Sequence, residues 1–295
     1  MLSIILPAKN EGRSLERLLP QLRQRFPEAE ILVVDDGSMD DTPSVCQANH
    51  VRIVSHPVSL GNGAAIKTGA RAARGDVLVF MDADGQHQPE DIPRLLAKLD
   101  EGFDMAVGAR MKGSQAGLHR AAANGFYNRL ASWMVNQPVL DLTSGFRAVK
   151  ATRFRKFLYL LPNGFSYPTT ITMSFFRAGF PVAYVPIFAP QRVGKSHIRV
   201  FRDGVRFLLI IFKIGTLYSP LKLFLPISLV FFATGAGYYL FTFLTEHRFT
   251  NMSALLFITA MLVFLIGLVS EQVSALNYKE SDRDESYFPE SRRPD

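Results

Sequence analysis

Over the first 110 residues, short apolar runs rich in β-branched side chains alternate with stretches whose apolar positions recur at helical spacing. Ser3–Leu6, Ile31–Val34, Val51–Val54, Val77–Met81 and Met105–Val107 predict strands. Ser14–Arg25, Thr42–Ala48, Ala64–Ala73 and Glu90–Leu99 predict the helices between them. This rhythm predicts right-handed βαβ units and an α/β fold, with a mostly parallel sheet covered by helices on both faces. From residue 110 to 200 the pattern is less regular: Asn124–Val135 and Ser166–Arg177 read as helices and Val182–Val185 as a returning strand.

The pattern then changes character. Leu223–Thr245 and Phe249–Ser270 carry no charge, and each is about 22 residues long, enough for a helix to cross roughly 30 Å of hydrocarbon. A buried core hairpin is the competing reading. The link Glu246-His247-Arg248 is short enough only for a tight hairpin. Ahead of the first span, Val200–Leu217 mixes Arg202, Arg206 and Lys213 with apolar residues, which predicts an interfacial amphipathic helix; a core helix is the alternative. These boundaries predict an amino-terminal α/β domain at 1–199, an interfacial region at 200–220, a two-helix transmembrane hairpin at 221–276 and a disordered tail at 277–295. Lys213 and Lys222 before the first span, and Lys279, Arg283, Arg292 and Arg293 after the second, predict a cytosolic amino-terminal domain and tail on an inner or plasma membrane. Gly235-x-Gly237 hints at helix packing and at a homo-oligomer through these helices. Met1–Pro7 is apolar but short and without a basic leader, so it reads as a buried first strand and not as a secretory signal.

Charge narrows the partners. The 33 Lys and Arg against 26 Asp and Glu give a net charge of +7, which suits an anionic membrane face or phosphorylated substrates. Nucleic acid is disfavoured, because no zinc spacing, basic zipper or aromatic RNA-binding signature is present. Cys46 is the sole cysteine and reads as packing. His56, His87 and His119 lack zinc-site spacing and are assigned no catalytic role.

Ligands in such sheets bind at the carboxyl ends of the strands. Those ends carry Pro7–Glu11, Asp35–Ser38, His56–Gly63 and Asp82–Gln86. Asp82-Ala83-Asp84 can aim two carboxylates at one hard cation, Mg²⁺ or Mn²⁺; alone, it also reads as a turn capping the next helix. Asp35-Asp36-Gly37-Ser38 can accept from a nucleobase imide or ribose hydroxyl, or form a simple Asx turn. Gly61-Asn62-Gly63 opens a helix but matches neither a Walker loop nor a dinucleotide fingerprint; it predicts a helix start packed close to the sheet.

Taken in order, Leu6-Pro7-Ala8-Lys9-Asn10-Glu11, Val33-Val34-Asp35-Asp36-Gly37-Ser38, Gly61-Asn62-Gly63 and Asp82-Ala83-Asp84 resemble inverting glycosyltransferases of family 2. Ser144-Gly145-Phe146-Arg147 and Arg192-Val193-Gly194-Lys195-Ser196 resemble its polyprenyl-phosphate branch, which includes dolichyl-phosphate mannose synthases and bacterial polyprenyl-phosphate transferases. The resemblance covers residues 1–220, and the two-span tail fits the bacterial members. It implies a GT-A-type, Rossmann-like domain and a metal-dependent, inverting hexose transfer. The donor would be GDP-mannose or UDP-glucose or another UDP-sugar, and the acceptor polyprenyl phosphate. It puts Asp36 on the base beside Asp35, with Pro7 and Glu11 lining the nucleoside pocket. Asp82, Asp84 and Gln86 would hold the metal against the donor diphosphate, and Asp141 falls where some relatives carry an active-site carboxylate. Convergence of donor and acceptor phosphates demands cations, for which Arg120, Arg147 and Arg192 are candidates, assisted by Lys195 and Ser196. The catalytic roles then fall on Asp84, Asp141 and Arg192. A non-catalytic lipid-sugar translocation partner, or a transferase for another lipid, is the alternative. A processive synthase would carry Gln-x-x-Arg-Trp, and the one tryptophan, Trp133, lies in Ala131-Ser132-Trp133-Met134.

Overall fold

The computed structural model describes residues 1–110, 118–164, 167–188, 212 and 215–282. The chain divides into two units, Met1–His197 and Ile198–Asp295.

In the first unit the expected alternation is realised as β1 (Leu2–Ala8), α1 (Gly12–Arg25), β2 (Glu30–Asp35), α2 (Thr42–Ala48), β3 (Arg52–Ser55), α3 (Asn62–Ala72), β4 (Val77–Phe80), α4 (Ile92–Asp100) and β5 (Met105–Arg110). There follow α5 (Leu118–Val135), β6 (Arg147–Lys150), α6 (Ala151–Arg155), α7 (Tyr167–Arg177) and β7 (Val182–Ile187). The strands form one seven-stranded sheet in the order β3-β2-β1-β4-β6-β5-β7. All neighbours pair in parallel except β6, which runs antiparallel to both β4 and β5.

Strand periodicity sorts the core. Ile4, Leu6 and Ala8 of β1 face the side covered by Leu15, Leu18, Leu19 and Leu22 of α1, whose spacing makes one apolar stripe. Burying each such leucine contributes about 2 kcal/mol. Ile5 faces the other side, where α3 comes so close that a Cβ on Gly69 would lie 2.4 Å from the Ile5 Cγ2. Cys46 is buried in the first of these layers. Burial and the charge of Asp35 push its thiol up to about 11, so it packs and does not react.

The short strand β6 carries no alternation that periodicity could detect: Arg-Ala-Val-Lys is charged at both ends. Its insertion nevertheless shapes the molecule. Being antiparallel, β6 brings its start, Arg147, opposite Phe80 at the end of β4. The Ser144–Arg147 segment is thereby delivered to the edge where the Asp82–Gln86 turn emerges.

In the second unit, α8 (Pro220–Glu246) and α9 (Asn251–Asp282) form an antiparallel hairpin. Pro220–Glu246 and Asn251–Leu276 are long and apolar enough to cross a membrane. Val230, Phe241, Leu244, Met261 and Val269 point away from the hairpin's own contact, as a lipid-facing surface requires. The helices meet through small groups: a Cβ on Gly235 would lie 3.1 Å from the Leu256 Cβ, and one on Gly267 would lie 2.8 Å from the Phe224 Cβ. Ser228 Oγ donates across to the Ala260 carbonyl at 2.8 Å, while a Cβ on Gly237 would point into open space. His247, at φ +52°, ends α8 in the left-handed conformation, its N–H donating to Phe243 O at 3.1 Å. Helix α9 runs on to Asp282, into the stretch assigned from sequence to the tail. Most of the expected interfacial helix at 200–217 lies outside the described residues; 212 and 215–218 are helical.

Candidate active site

The first wall of the site is built from the loops that leave β1 and β2. Asn10, at φ +57°, turns the chain so that its N–H donates to Ser38 Oγ at 2.9 Å and its Oδ1 accepts the Met39 N–H at 2.8 Å. The Glu11 N–H donates to Thr42 Oγ1 at 3.0 Å, and the Glu11 carbonyl accepts the Ser14 and Leu15 N–H groups that start α1. Pro7 and Glu11 are both half-buried at this edge. Asp35 accepts the Ser38 N–H at 2.9 Å, so the Asx-turn reading describes what its carboxylate does here.

Asp36, which the resemblance puts on the base, is held by a network of its own. Its carboxylate accepts from His56 Nδ1 at 2.8 Å, Ser59 Oγ at 2.7 Å, Leu60 N–H at 2.8 Å and Gly61 N–H at 2.9 Å. These bonds occupy about as many acceptor sites as a carboxylate has, and His56 Nε2 continues the network to Thr68 Oγ1 at 2.9 Å. Burial pushes the carboxyl up, but these hydrogen bonds outweigh it and hold it down at about 2. Asp36 thus ties the loop after β3 to α3. The close packing expected of Gly61-Asn62-Gly63 is also redirected. A Cβ on Gly63 would lie 2.1 Å from the Pro162 carbonyl oxygen, and the Ala64 N–H donates to Asn163 O at 3.1 Å. The helix start abuts the 162–164 loop, and it is Gly69 that touches the sheet.

The second wall is the Asp82–Gln86 turn. The Asp82 N–H donates to His87 Nδ1 at 3.2 Å, and the His87 ring stacks on Phe146 with centroids 4.9 Å apart. Burial drives His87 down to about 4. The ring is therefore neutral near pH 7, and its 3.8 Å approach to Asp82 Oδ2 is not an ion pair. The Gln86 N–H donates to Asp84 Oδ1 at 3.1 Å, and Gly85 supplies the positive φ of +74° that the turn needs. The Asp82 side chain is 38% exposed. Gly145 backs it: a Cβ there would lie 3.2 Å from both Asp82 oxygens and 3.2 Å from Tyr167 Oη. Asp82, Asp84 and Gln86 offer oxygen donors suited to Mg²⁺ or Mn²⁺. Among the described residues no cluster of three or more His, Cys, Asp or Glu could hold a metal. A two-carboxylate set that needs substrate oxygens to complete its shell fits a cation held jointly with a diphosphate.

The third wall holds a residue that sequence reasoning missed. Arg110, at the end of β5, grips Asp141 in a two-pronged pair and also donates to Thr143 Oγ1 at 2.6 Å. This pair raises Arg110 further above its usual value, and the charge of Asp82 adds to the effect. Burial pushes Asp141 up, but Arg110 outweighs it and the carboxyl is lowered. Asp141 is thus paired and oriented by an arginine, a partner the sequence did not indicate. Only the position of Arg110 at a strand's carboxyl end could have signalled it.

Arg147 requires a correction. It is fully buried, and its guanidinium donates to the carbonyls of Ser144 and Pro168 and to Thr172 Oγ1 at 3.3 Å. Its carbon lies 5.7 Å from the centre of the Tyr167 ring. Buried with its two terminal nitrogens turned on the Ser144 and Pro168 carbonyls and on Thr172, Arg147 organises the loop before β6 and does not fit a phosphate clamp. Arg120 lies in the first turn of α5, its side chain outside the described residues; Arg192, Lys195 and Ser196 lie outside them altogether.

Residues 3–159 match the profile of glycosyl transferase family 2. The chain belongs to that family. The matched residues make up the greater part of this family 2 transferase's sheet, with the Asp82–Asp84 turn and the Arg110–Asp141 pair inside them. Residues 219–276 match the GtrB C-terminal hairpin. The polyprenol monophosphomannose synthase of Mycolicibacterium smegmatis is 31% identical over 209 residues, covering 65% of this chain and 79% of that protein. The undecaprenyl-phosphate mannosyltransferase of Micrococcus luteus is 32% identical over 211 residues, covering 65% and 85%. An undecaprenyl-phosphate 4-deoxy-4-formamido-L-arabinose transferase of Proteus mirabilis is 33% identical over 151 residues, 48% of this chain and 44% of that one. Among solved structures, glucosyl-3-phosphoglycerate synthase from Mycobacterium tuberculosis, in complex with Mn²⁺, UDP and phosphoglyceric acid, superimposes with a TM-score of 0.59 at 23% identity, covering 73% and 77% of the two chains. The shared fold is of the GT-A type.

Proposed function

We propose that this family 2 transferase moves a hexose from a nucleoside-diphosphate sugar to polyprenyl phosphate at a membrane surface. The observation that carries the reading is the meeting of the Asp82–Asp84 turn with the Arg110–Asp141 pair on one sheet edge, in a chain that also carries a membrane-length hairpin. The names of the curated relatives, which specify polyprenol or undecaprenyl phosphate, support the acceptor. GDP-mannose and UDP-glucose are the first donors to test, because mannosyl transferases lie among the relatives and a UDP-binding synthase shares the fold.

The physical problem is charge. Two unit charges 4 Å apart repel by about 4 kcal/mol at an effective dielectric near 20, and a diphosphate meeting a phosphate monoester brings several. Asp82, Asp84 and Gln86 would hold Mg²⁺ or Mn²⁺, which when bound supplies positive charge to the leaving nucleoside diphosphate. Arg110, oriented by Asp141, adds a fixed cation at the same edge, and Arg192 with Lys195 and Ser196 would face the acceptor phosphate. The acceptor phosphate has a second pKa of about 6, so it is mostly dianionic at pH 7 and needs no general base. The protein's task is to align it in line with the anomeric carbon, giving inversion. Asp141 acts through Arg110, as a positioning residue. The catalytic unit would sit on the cytosolic side of the inner or plasma membrane, the side that the flanking lysines and arginines favour.

The test is transfer from a panel of labelled nucleotide sugars to polyprenyl phosphate by purified protein in vesicles. One donor should label the lipid with inverted anomeric configuration. Lipid labelling by none of them, with nucleotide still bound, would favour the non-catalytic translocation partner.

A further inference from the structure

Helix α5 carries a face unlike that of a water-facing helix. Phe126 is 61% exposed and Trp133 is 48% exposed. Seven residues apart, they lie two turns along one side of the helix, with Arg129 exposed at the surface between them. The opposite side is buried through Ala131 and Met134. The same helix is strapped to the catalytic edge. Asn128 donates from Nδ2 to the Leu140 carbonyl at 2.6 Å and accepts the Leu142 N–H at Oδ1 at 3.0 Å. Ser132 Oγ accepts the Val139 N–H at 2.9 Å. These bonds bracket Asp141, the partner of Arg110, and the strapped loop exposes Leu140 as well, at 61%.

We propose that this face of α5 lies in the headgroup layer of the lipid bilayer, so that the catalytic edge is held at the membrane surface through Phe126, Arg129 and Trp133. The occupant is a bilayer for two reasons. The chain carries a hairpin of two membrane-length helices, so the first unit is covalently tethered to a membrane. The chemistry also matches, because tryptophan is enriched where a ring must be half apolar and half wet, and arginine pairs with lipid phosphates in that layer. The inference rests on the membrane reading of the hairpin, and adds to it a contact made by the catalytic unit itself. Since Asn128 and Ser132 couple α5 to the loop bearing Asp141, docking this face also fixes the height at which Arg110 meets a lipid-borne phosphate.

Trp133 is the only tryptophan in the sequence, so the full-length protein reports on the proposal directly. Its emission is measured in vesicles containing lipids brominated near the glycerol end of the acyl chains, and separately with aqueous acrylamide. The expected result is loss of most of the emission to the brominated lipid, and much weaker quenching by acrylamide than for free N-acetyltryptophanamide. Emission untouched by brominated lipid overturns the proposal. Insensitivity to both quenchers that varies with protein-to-lipid ratio would place a second copy there, and overturns it too. In parallel, Trp133→Ser with Phe126→Ser should raise KM for long-chain polyprenyl phosphate in vesicles several-fold. It should leave kcat on a short, soluble acceptor unchanged, and Trp133→Phe should restore most of the loss. Equal effects on both acceptors also overturn it. Absence of transfer by the wild-type protein would count against the transferase reading alone, since the quenching result is independent of turnover.

Discussion

Arg110 and Asp141 are joined by two hydrogen-bonded prongs, Nε to Oδ2 at 2.8 Å and Nη2 to Oδ1 at 2.9 Å, which fasten the end of β5 to the loop before β6. The Arg110 backbone N–H reinforces them, donating to Asp141 Oδ2 at 3.2 Å. Asp141 is nearly buried while Arg110 keeps one side in solvent. The pair is therefore both a brace and the presentation of a cation to the Asp82 edge.

Removing one partner should cost more than the pair contributes. Arg110→Ala leaves Asp141 buried and unpaired, a change that costs about 3 kcal/mol in comparable sites, and it should depress transfer. Arg110→Lys keeps the charge but not the fork, so stability should fall less while transfer stays low. Urea melts beside turnover assays distinguish the two; full activity in Arg110→Lys contradicts a positioning role.

Asp36 makes the stability of the catalytic unit depend on acid. Its folded pKa of about 2 lies below the usual value near 3.8, so its contribution is present above the unfolded value and is lost as pH falls through the folded one. That contribution is about 2 kcal/mol. Asp36→Ala should lower stability at pH 7 by about this much and flatten the dependence between about pH 4 and pH 2. An unchanged acid profile, followed by circular dichroism, contradicts the network.

Asp84→Ala should abolish transfer, by about 10³-fold if several kcal/mol of charge stabilisation is lost. The fold and membrane insertion should survive. Mn²⁺ binding in the presence of nucleoside diphosphate, read by electron paramagnetic resonance, should weaken in step. Undiminished activity in this variant, or in excess EDTA, contradicts metal dependence.

Gly145→Ala tests the backing of Asp82. The added methyl would sit 3.2 Å from both carboxylate oxygens and from Tyr167 Oη, tighter than ordinary contact. Asp82 should shift and transfer should fall while the melting temperature changes by only a few degrees. A wild-type rate shows that the turn tolerates displacement.

Arg192→Ala should raise KM for the lipid acceptor far more than it weakens nucleotide binding, because the lost charge is assigned to the acceptor phosphate. Calorimetric titration of nucleoside diphosphate beside acceptor saturation curves separates the two, and equal losses would place Arg192 at the donor.

What the sequence determined by itself is local. Val77–Phe80 is a short apolar run that becomes β4, and Asp82 and Asp84 follow at its carboxyl end, so strand and motif are readable from consecutive residues. The hairpin is legible for the same reason, since a membrane-length apolar run needs no partner to be recognised. What only the tertiary structure decided is how each polar group is used. Arg147-Ala148-Val149-Lys150 has no periodicity of its own, and it becomes a strand because β4 and β5 present free edges on either side of it. That insertion buries Arg147 and brings Gly145 against Asp82. Asp36 and Asp141 look equally available along the chain, yet one is spent on the His56–Gly61 loop and the other on Arg110. Hydrogen-bond donors separated from their acceptors by tens of residues are matched only when the sheet closes, and that matching decides which charges remain for a substrate.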